Sequence, residues 1–516
     1  MALAAPAAGL SEVHRLTRPA FLLRTLGVLV VVLLTWPRGS EAETPPPASG
    51  LAQPPPAVQT PPPPPAVQQP PPPETQPPPT ETSVQRALHL LESFRFGTYG
   101  RIGVSGDLRE GSKGRRVNVV AHGPRLEEPP YVELDLGYEL RRKDALSFRV
   151  ASTVAFMEDC FHYNGKWDAQ IALRNLYAEA THVFTPALSL WVGSRMYRGD
   201  DIYLLDYWPL DLLNTVGGGA GLHIRNTRVQ LHAGVNRLDN LFQLQTIEVP
   251  NPRFGTDKVT VLDRQRTIIS VKGTQEFPDL ARDLSLKLSL YGEVHRIPAG
   301  TLRKDLETED LPADTGWVAG LQVGVWGFGH DSHVNLWVRV AGGLAAYGEL
   351  VVPTGLGMDR RSTGARDVVV ALSGNYERGM LGLMLGGYVR YFQDADTAAV
   401  DPDDGWEYVL AARPHLFLHR YFHQVFEVSV QGRRPNGLDP QTQTHLVPTV
   451  FKFSVMPTLS WDRGTYTRPQ IRLLYTLSYL DAGAQLMFPI EDPRRGHAVA
   501  HFLGAQVEWW WNSSYR

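Results

Sequence analysis

Tyr131-Val-Glu-Leu-Asp-Leu-Gly-Tyr-Glu-Leu140 is the stretch that decides the fold. Successive side chains of an extended strand point to opposite faces. Val132, Leu134, Leu136, Tyr138 and Leu140 therefore share one face, and Tyr131, Glu133, Asp135, Gly137 and Glu139 the other. The same period of two runs through 148–156, 190–197, 468–479 and 502–511. One apolar face and one polar-to-small face fits a soluble sandwich as well as a membrane barrel.

The spacing between strands separates these two folds. A strand over 94–106 is followed by a long connection, 107–130; strand 131–140 reaches 146–156 through the short turn 141–145. A long loop, 157–170, precedes a strand near 173–184, the short turn 185–187, strand 188–197 and the long loop 198–219. Long and short connections in alternation mark outer-membrane barrels, with long external loops and short periplasmic turns. The first strand then starts on the periplasmic side. A body of this length accommodates about 18 antiparallel strands, in the porin range.

Composition agrees. The 516 residues are 43% hydrophobic, 20% charged and 10% aromatic, with a net charge of −3, so the basic footprint of a nucleic-acid binder is missing. The long apolar run lies at the N-terminus, which excludes a helical membrane bundle. One cysteine, Cys160, excludes an intrachain disulfide framework. Residues 1–42 read as a signal peptide: Arg15, Arg18 and Arg24, an apolar run over 25–36, then the small-x-small site Ser40-Glu41-Ala42. Its removal leaves a net charge of −5. Eighteen of the 41 prolines fall between positions 45 and 79, so 43–80 reads as a Pro-rich periplasmic spacer, extended to roughly 110 Å as polyproline II. It serves as a strut through the cell-wall layer or as a solvated tail. Residues 81–93 read as a short helical segment, 94–511 as the barrel and 512–516 as a C-terminal tail.

Three stretches carry a family resemblance: Phe96-Gly-Thr-Tyr-Gly-Arg-Ile-Gly103; Trp191-Val-Gly-Ser-Arg-Met-Tyr197 with Asp201-Ile-Tyr-Leu-Leu-Asp-Tyr-Trp208 and Gly219-Ala-Gly-Leu222; and Gly504-Ala-Gln-Val-Glu-Trp-Trp-Trp511. With Tyr131-Val-Glu-Leu134, Arg413-Pro414 and Thr467-Arg-Pro-Gln-Ile-Arg472, in this order, they resemble the maltoporin family of carbohydrate-specific outer-membrane porins. The resemblance implies a homotrimer of 18-stranded barrels in outer-membrane lipid, through which malto-oligosaccharides diffuse passively, with no cofactor and no metal. It further implies an aromatic path of Tyr99, Tyr131, Trp167, Trp208, Tyr466 and Trp510, flanked by Arg101, Arg125, Glu133, Arg174 and Asp206. A pyranose has CH-rich faces that stack on π-systems and an equator of hydroxyls needing donors and acceptors.

Parity is a partly independent guide. Tyr99 shares a face with Arg101, Tyr131 with Glu133, Tyr466 with Arg468 and Arg472, and Trp510 with Glu508. Each lies on the polar, lumen-like face or belongs to an interfacial girdle. Parity places Arg174 toward lipid. The loop 198–219 is too apolar for water and either folds inward as a constriction or packs at a subunit interface. The chain departs from the family pattern in lacking a first-loop cysteine pair, in Trp208 for a tyrosine, in Gly199 beside Arg198 for an arginine, in His333 for a lumen phenylalanine, and in running past Trp511. Other readings are a porin for another sugar, an unselective porin, and a structural barrel tethered to the cell wall by the Pro-rich arm. An outer-membrane enzyme is disfavoured, because neither Gly-x-Ser-x-Gly nor His-Glu-x-x-His occurs.

Overall fold

The computed structural model describes residues 93–513 apart from 110–112, 142–145, 158–164, 166–169, 282, 305–306 and 397–401. The leader, the Pro-rich spacer, all of the helical segment but its last residue, Cys160, Trp167 and the end of the C-terminal tail lie outside the described residues.

The strands run β1 (Phe94–Gly106), β2 (Tyr131–Arg141), β3 (Ser147–Met157), β4 (Gln170–Thr181), β5 (Leu188–Arg198), β6 (Leu212–Ile224) and β7 (Thr227–Asn236). The hairpin β8 (Leu244–Pro250) and β9 (Thr256–Asp263) precedes β10 (Arg266–Ala281) and β11 (Leu284–Ile297). A second hairpin, β12 (Gly300–Lys304) and β13 (Glu307–Leu311), precedes β14 (Asp314–Trp326), β15 (His330–Gly343), β16 (Arg366–Arg378) and β17 (Leu381–Gln393). The chain ends in β18 (Gly405–Phe417), β19 (Phe422–Pro435), β20 (Thr449–Ser460), β21 (Gln470–Leu480) and β22 (Val499–Trp511).

Eighteen of these form one sheet. Each pairs antiparallel with its chain neighbour, β7 pairs with β10 and β11 with β14, so the two hairpins stand outside the wall. β1 pairs with both β2 and β22, which closes the barrel. Closure satisfies the backbone groups of the wall within the chain, as a hydrocarbon surrounding requires. One rim carries the short turns, such as 225–226, 327–329 and 379–380, and the opposite rim the long loops.

The two faces invert the order of a soluble protein. Leu140 is 57% and Val192 70% exposed, whereas Glu133 and Gln431 are almost completely covered. The apolar face looks out to lipid and the polar face in. Arg174 corrects the parity expectation. The β3–β4 register shifts between Thr153 and Val154, so Thr153 faces Asn175 while Val154 faces Leu173. A bulge re-aims a side chain: Ile171, Leu173 and Leu176 stay exposed on the outer face, and Arg174 swings onto the lumen residues Tyr131 and Glu133.

Candidate functional site

Among the described residues, two loops and one turn that fold into the lumen bear on the site. Loop 199–211 buries Ile202, Tyr203, Leu204, Leu205, Tyr207, Trp208 and Leu210 inside its own barrel, which settles the interface alternative. Ile202 and Tyr207 form an antiparallel bridge, closed by a 3-10 turn and by Asp206 in the left-handed region at φ 52°. Two glycines of the far wall make room. A Cβ on Gly386 of β17 would stand 2.6 Å from Ile202, and one on Gly320 of β14 2.3 Å from Leu210.

Loop 107–130 also folds inward, which its polar composition did not announce. Its backbone is held by lumen side chains: the Val119 N–H donates to Gln431 Oε1 (3.0 Å), and Gln431 Nε2 donates to the Val117 carbonyl (3.3 Å) and to Asn118 Oδ1 (2.8 Å). Lys452 Nζ donates to Glu127 Oε2 at 2.7 Å. The loops touch where the Arg125 N–H donates to the Leu204 carbonyl (3.2 Å) and where His122 stacks on Tyr207 at 4.1 Å. Burial pushes the His122 imidazole down to about 4, with the charge of Glu407 pulling the other way.

Between these segments six rings form an unbroken line. Tyr131 to Tyr99 is 6.0 Å between centroids, Tyr99 to Trp510 6.5 Å, Trp510 to Tyr203 6.0 Å, Tyr203 to Tyr466 5.7 Å, and Tyr466 to His333 6.0 Å. Such separations suit tilted, offset and edge-to-face pairs. Tyr99 and Trp510 are partners in the register that closes the barrel. Trp208 packs at the Tyr131 and Tyr99 end, its ring 4.0 Å beneath the Arg198 guanidinium. Tyr466 is not on a strand; it rides on the turn 461–469, a periplasmic turn longer than its neighbours that folds into the lumen.

Glu508 is the hub of the flanking charges. Its carboxylate accepts from Tyr203 Oη (2.7 Å), Arg468 Nε (2.9 Å), Arg472 Nη2 (2.6 Å) and Tyr99 Oη (3.3 Å), with Arg125 Nη2 at 3.4 Å. Arg125 also donates to the Tyr99 hydroxyl. Arg101 lies 5.2 Å over the Tyr131 ring, pairs with Glu128 at 3.1 Å and reaches Asp206 at 4.0 Å. Glu133 pairs with Arg174 at 2.6 Å and accepts from the Tyr131 hydroxyl.

Of the residues singled out in the sequence, Tyr99, Tyr131, Tyr466 and Trp510 thus share one line, with Trp208 packed at its Tyr131 and Tyr99 end and Arg101, Arg125, Glu133, Arg174 and Asp206 beside it. Tyr203, Glu508, Arg468 and Arg472 were not among the site candidates. The last three share the lumen parity of Tyr466 and Trp510, a signal available in the sequence, whereas Tyr203 needed the path of its loop.

A closed antiparallel barrel with an apolar outer wall and a polar lumen narrowed by its own loops is a porin of the outer membrane, crossing it with every wall strand. The chain belongs to the LamB porin family, whose model matches residues 94–511. It is a channel and not an enzyme. Maltoporin of Hahella chejuensis is 25% identical over 391 residues, covering 74% of this chain and 83% of that one. Maltoporin 1 of Klebsiella pneumoniae is 33% identical over 146 residues, 26% of this chain and 31% of that one. Among solved structures, the outer membrane protein opdK of Pseudomonas aeruginosa is 10% identical with a TM-score of 0.41, covering 81% of this chain and 99% of that one.

Proposed function

We propose that the chain mediates facilitated diffusion of malto-oligosaccharides or closely related sugars, acting as a trimer after removal of a leader over residues 1–42. The line of six rings carries this reading. A sugar moving past it exchanges one stacking partner for the next, while the guanidinium and carboxylate groups beside it exchange hydrogen bonds with the hydroxyls. Weak, repeated contacts suit permeation, because a tightly held solute would not leave. Tyr99 is completely covered, so on this reading a sugar ring displaces the Arg125 side chain to reach it. The two maltoporin relatives support the same substrate class. Residues 43–80 are read as a periplasmic arm.

Swelling of liposomes carrying the purified protein tests the proposal. Maltose and maltotriose should enter faster than a disaccharide of different ring geometry such as sucrose. Equal rates for all would indicate an unselective porin, and faster sucrose entry a porin for another sugar.

A further inference from the structure

We propose that the periplasmic rim carries a divalent-cation site of the Zn2+ class, formed by His330, Asp331 and Glu377. His330 and Asp331 open β15 just after the short turn 327–329, and Glu377 lies next to the end of β16 on the neighbouring strand. His330 Nδ1 stands 3.4 Å from Asp331 Oδ2 and 3.7 Å from Glu377 Oε2, and the three ligand atoms lie within 4.8 Å of one another. Donor atoms around one tetrahedral zinc, each about 2.0–2.2 Å from it, are separated by about 3.3–3.6 Å, close to the two distances from His330 Nδ1. One imidazole nitrogen and two carboxylate oxygens match the preference of Zn2+, with a further position left for water.

Glu377 supplies the observation that points to a ligand. It is only 8% exposed, and one of its two oxygens is fully engaged: Oε1 accepts from the Thr465 N–H at 2.7 Å and from Thr465 Oγ1 at 2.6 Å. Oε2 accepts no hydrogen bond from any described residue and faces His330 Nδ1 at 3.7 Å. In a side chain so largely covered, that oxygen is left available to a cation, whose charge would offset the cost of covering the carboxylate. The strand irregularity supplies the other two donors. The β15–β16 register shifts between His330 and His333, and Asp331 takes a left-handed backbone at φ 47°. Asn375 Nδ2 holds the Asp331 carbonyl at 2.9 Å, and Ser332 Oγ accepts from the Glu377 N–H at 3.2 Å.

The site is connected to the pore through Thr465, which adjoins Tyr466 on the inward turn 461–469. A bound ion would fix Glu377, Glu377 fixes Thr465, and the last aromatic rung next to His333 is held in turn. Thr465 is thus a positioning residue, and the site does not depend on which solute the channel carries.

Titration calorimetry of the full-length protein in detergent with Zn2+ alone tests this. The chain has 16 histidines, so the quantity read is the difference between wild type and variants. Wild type should take up one ion that His330→Ala and Asp331→Asn both lose; each side chain is exposed, and Asn tolerates the left-handed backbone. Thr465→Val should weaken that ion about tenfold, the effect of removing a group that orients a ligand. No uptake by wild type, or identical uptake by wild type and the two exposed-residue variants, overturns the site.

Discussion

Loops 107–130 and 199–211 leave strand ends on the same rim, fold into the same lumen and meet at Glu508, yet different forces hold them there. The second is apolar and packs Ile202 and Leu210 into the space left by Gly386 and Gly320. The first is polar in composition; it adds Val117, Val119 and Val120 to the same apolar cluster, and it is tied by Gln431 of β19 and Lys452 of β20. Apolar packing is non-directional and gives up its energy gradually, whereas a buried polar tether leaves an unsatisfied group when one partner is removed. The two loops should therefore fail differently.

The largest effect is expected at the point they share. Glu508→Ala would leave Arg125, Arg468 and Arg472 facing one another without their counter-charge. Breaking a buried ion pair costs about 3–5 kcal/mol, so both loops should loosen. Heat-modified mobility on gels should shift to lower temperature, and conductance should rise. A variant with wild-type heat stability would show that the loops do not depend on each other.

Next comes Trp208→Ala, which acts on the apolar loop alone. It removes a large ring from beside Tyr99 and Tyr131, so bilayer conductance should rise clearly, while sugar binding weakens by about 1 kcal/mol, the scale of one aromatic pair. Heat stability should stay as in wild type. A heat-labile variant with unaltered current would contradict the inward placement.

Gln431→Ala acts on the polar loop alone. It leaves the Val119 N–H without its acceptor, a loss of about 1–3 kcal/mol. Faster proteolysis within 107–130 is expected, with sugar binding at Trp208 little changed. Equal protection in variant and wild type would show that Gln431 is not the tether.

A smaller effect should follow pH. His122 titrates near 4 with the loop in place and near its ordinary value of about 6.5 once the loop is out. The displaced loop then binds more protons between those values, so inward packing is complete above about 6.5 and weakens as pH falls toward 4. Glu407, Asp206, Arg390 and Arg116 also act on the ring, so the check is a difference: current fluctuations should rise from pH 6.5 to 4.5 in wild type and less so in His122→Phe. The smallest effect belongs to deletion of residues 44–80, which should leave conductance and sugar entry unchanged; loss of either would make the arm part of the pore.

How much of this was legible in the sequence follows from the same contrast. The alternation in 131–140 revealed the wall because lipid on one side and polar groups on the other impose a period of two. The apolar run from Asp201 to Trp208 revealed its loop because such residues need burial. The inward course of 107–130 was hidden, since its partners Glu407, Gln431 and Lys452 are distant in sequence and each alone reads as an ordinary lumen group. Arg174 was misread because one extra residue in a strand reverses parity, and nothing in the residue types marks the bulge. Tyr466 was placed on the lumen side by strand parity, but it reaches the lumen on a turn, which the short-turn rule for that rim did not anticipate.

The central claim is that sugars travel along the line from Tyr131 to His333. Single-channel current of the wild-type protein in a planar bilayer, recorded while maltohexaose is added to one side, tests it most directly. The account predicts brief, concentration-dependent closures that saturate as the lumen fills. An open current that maltohexaose leaves unchanged at all concentrations would contradict it.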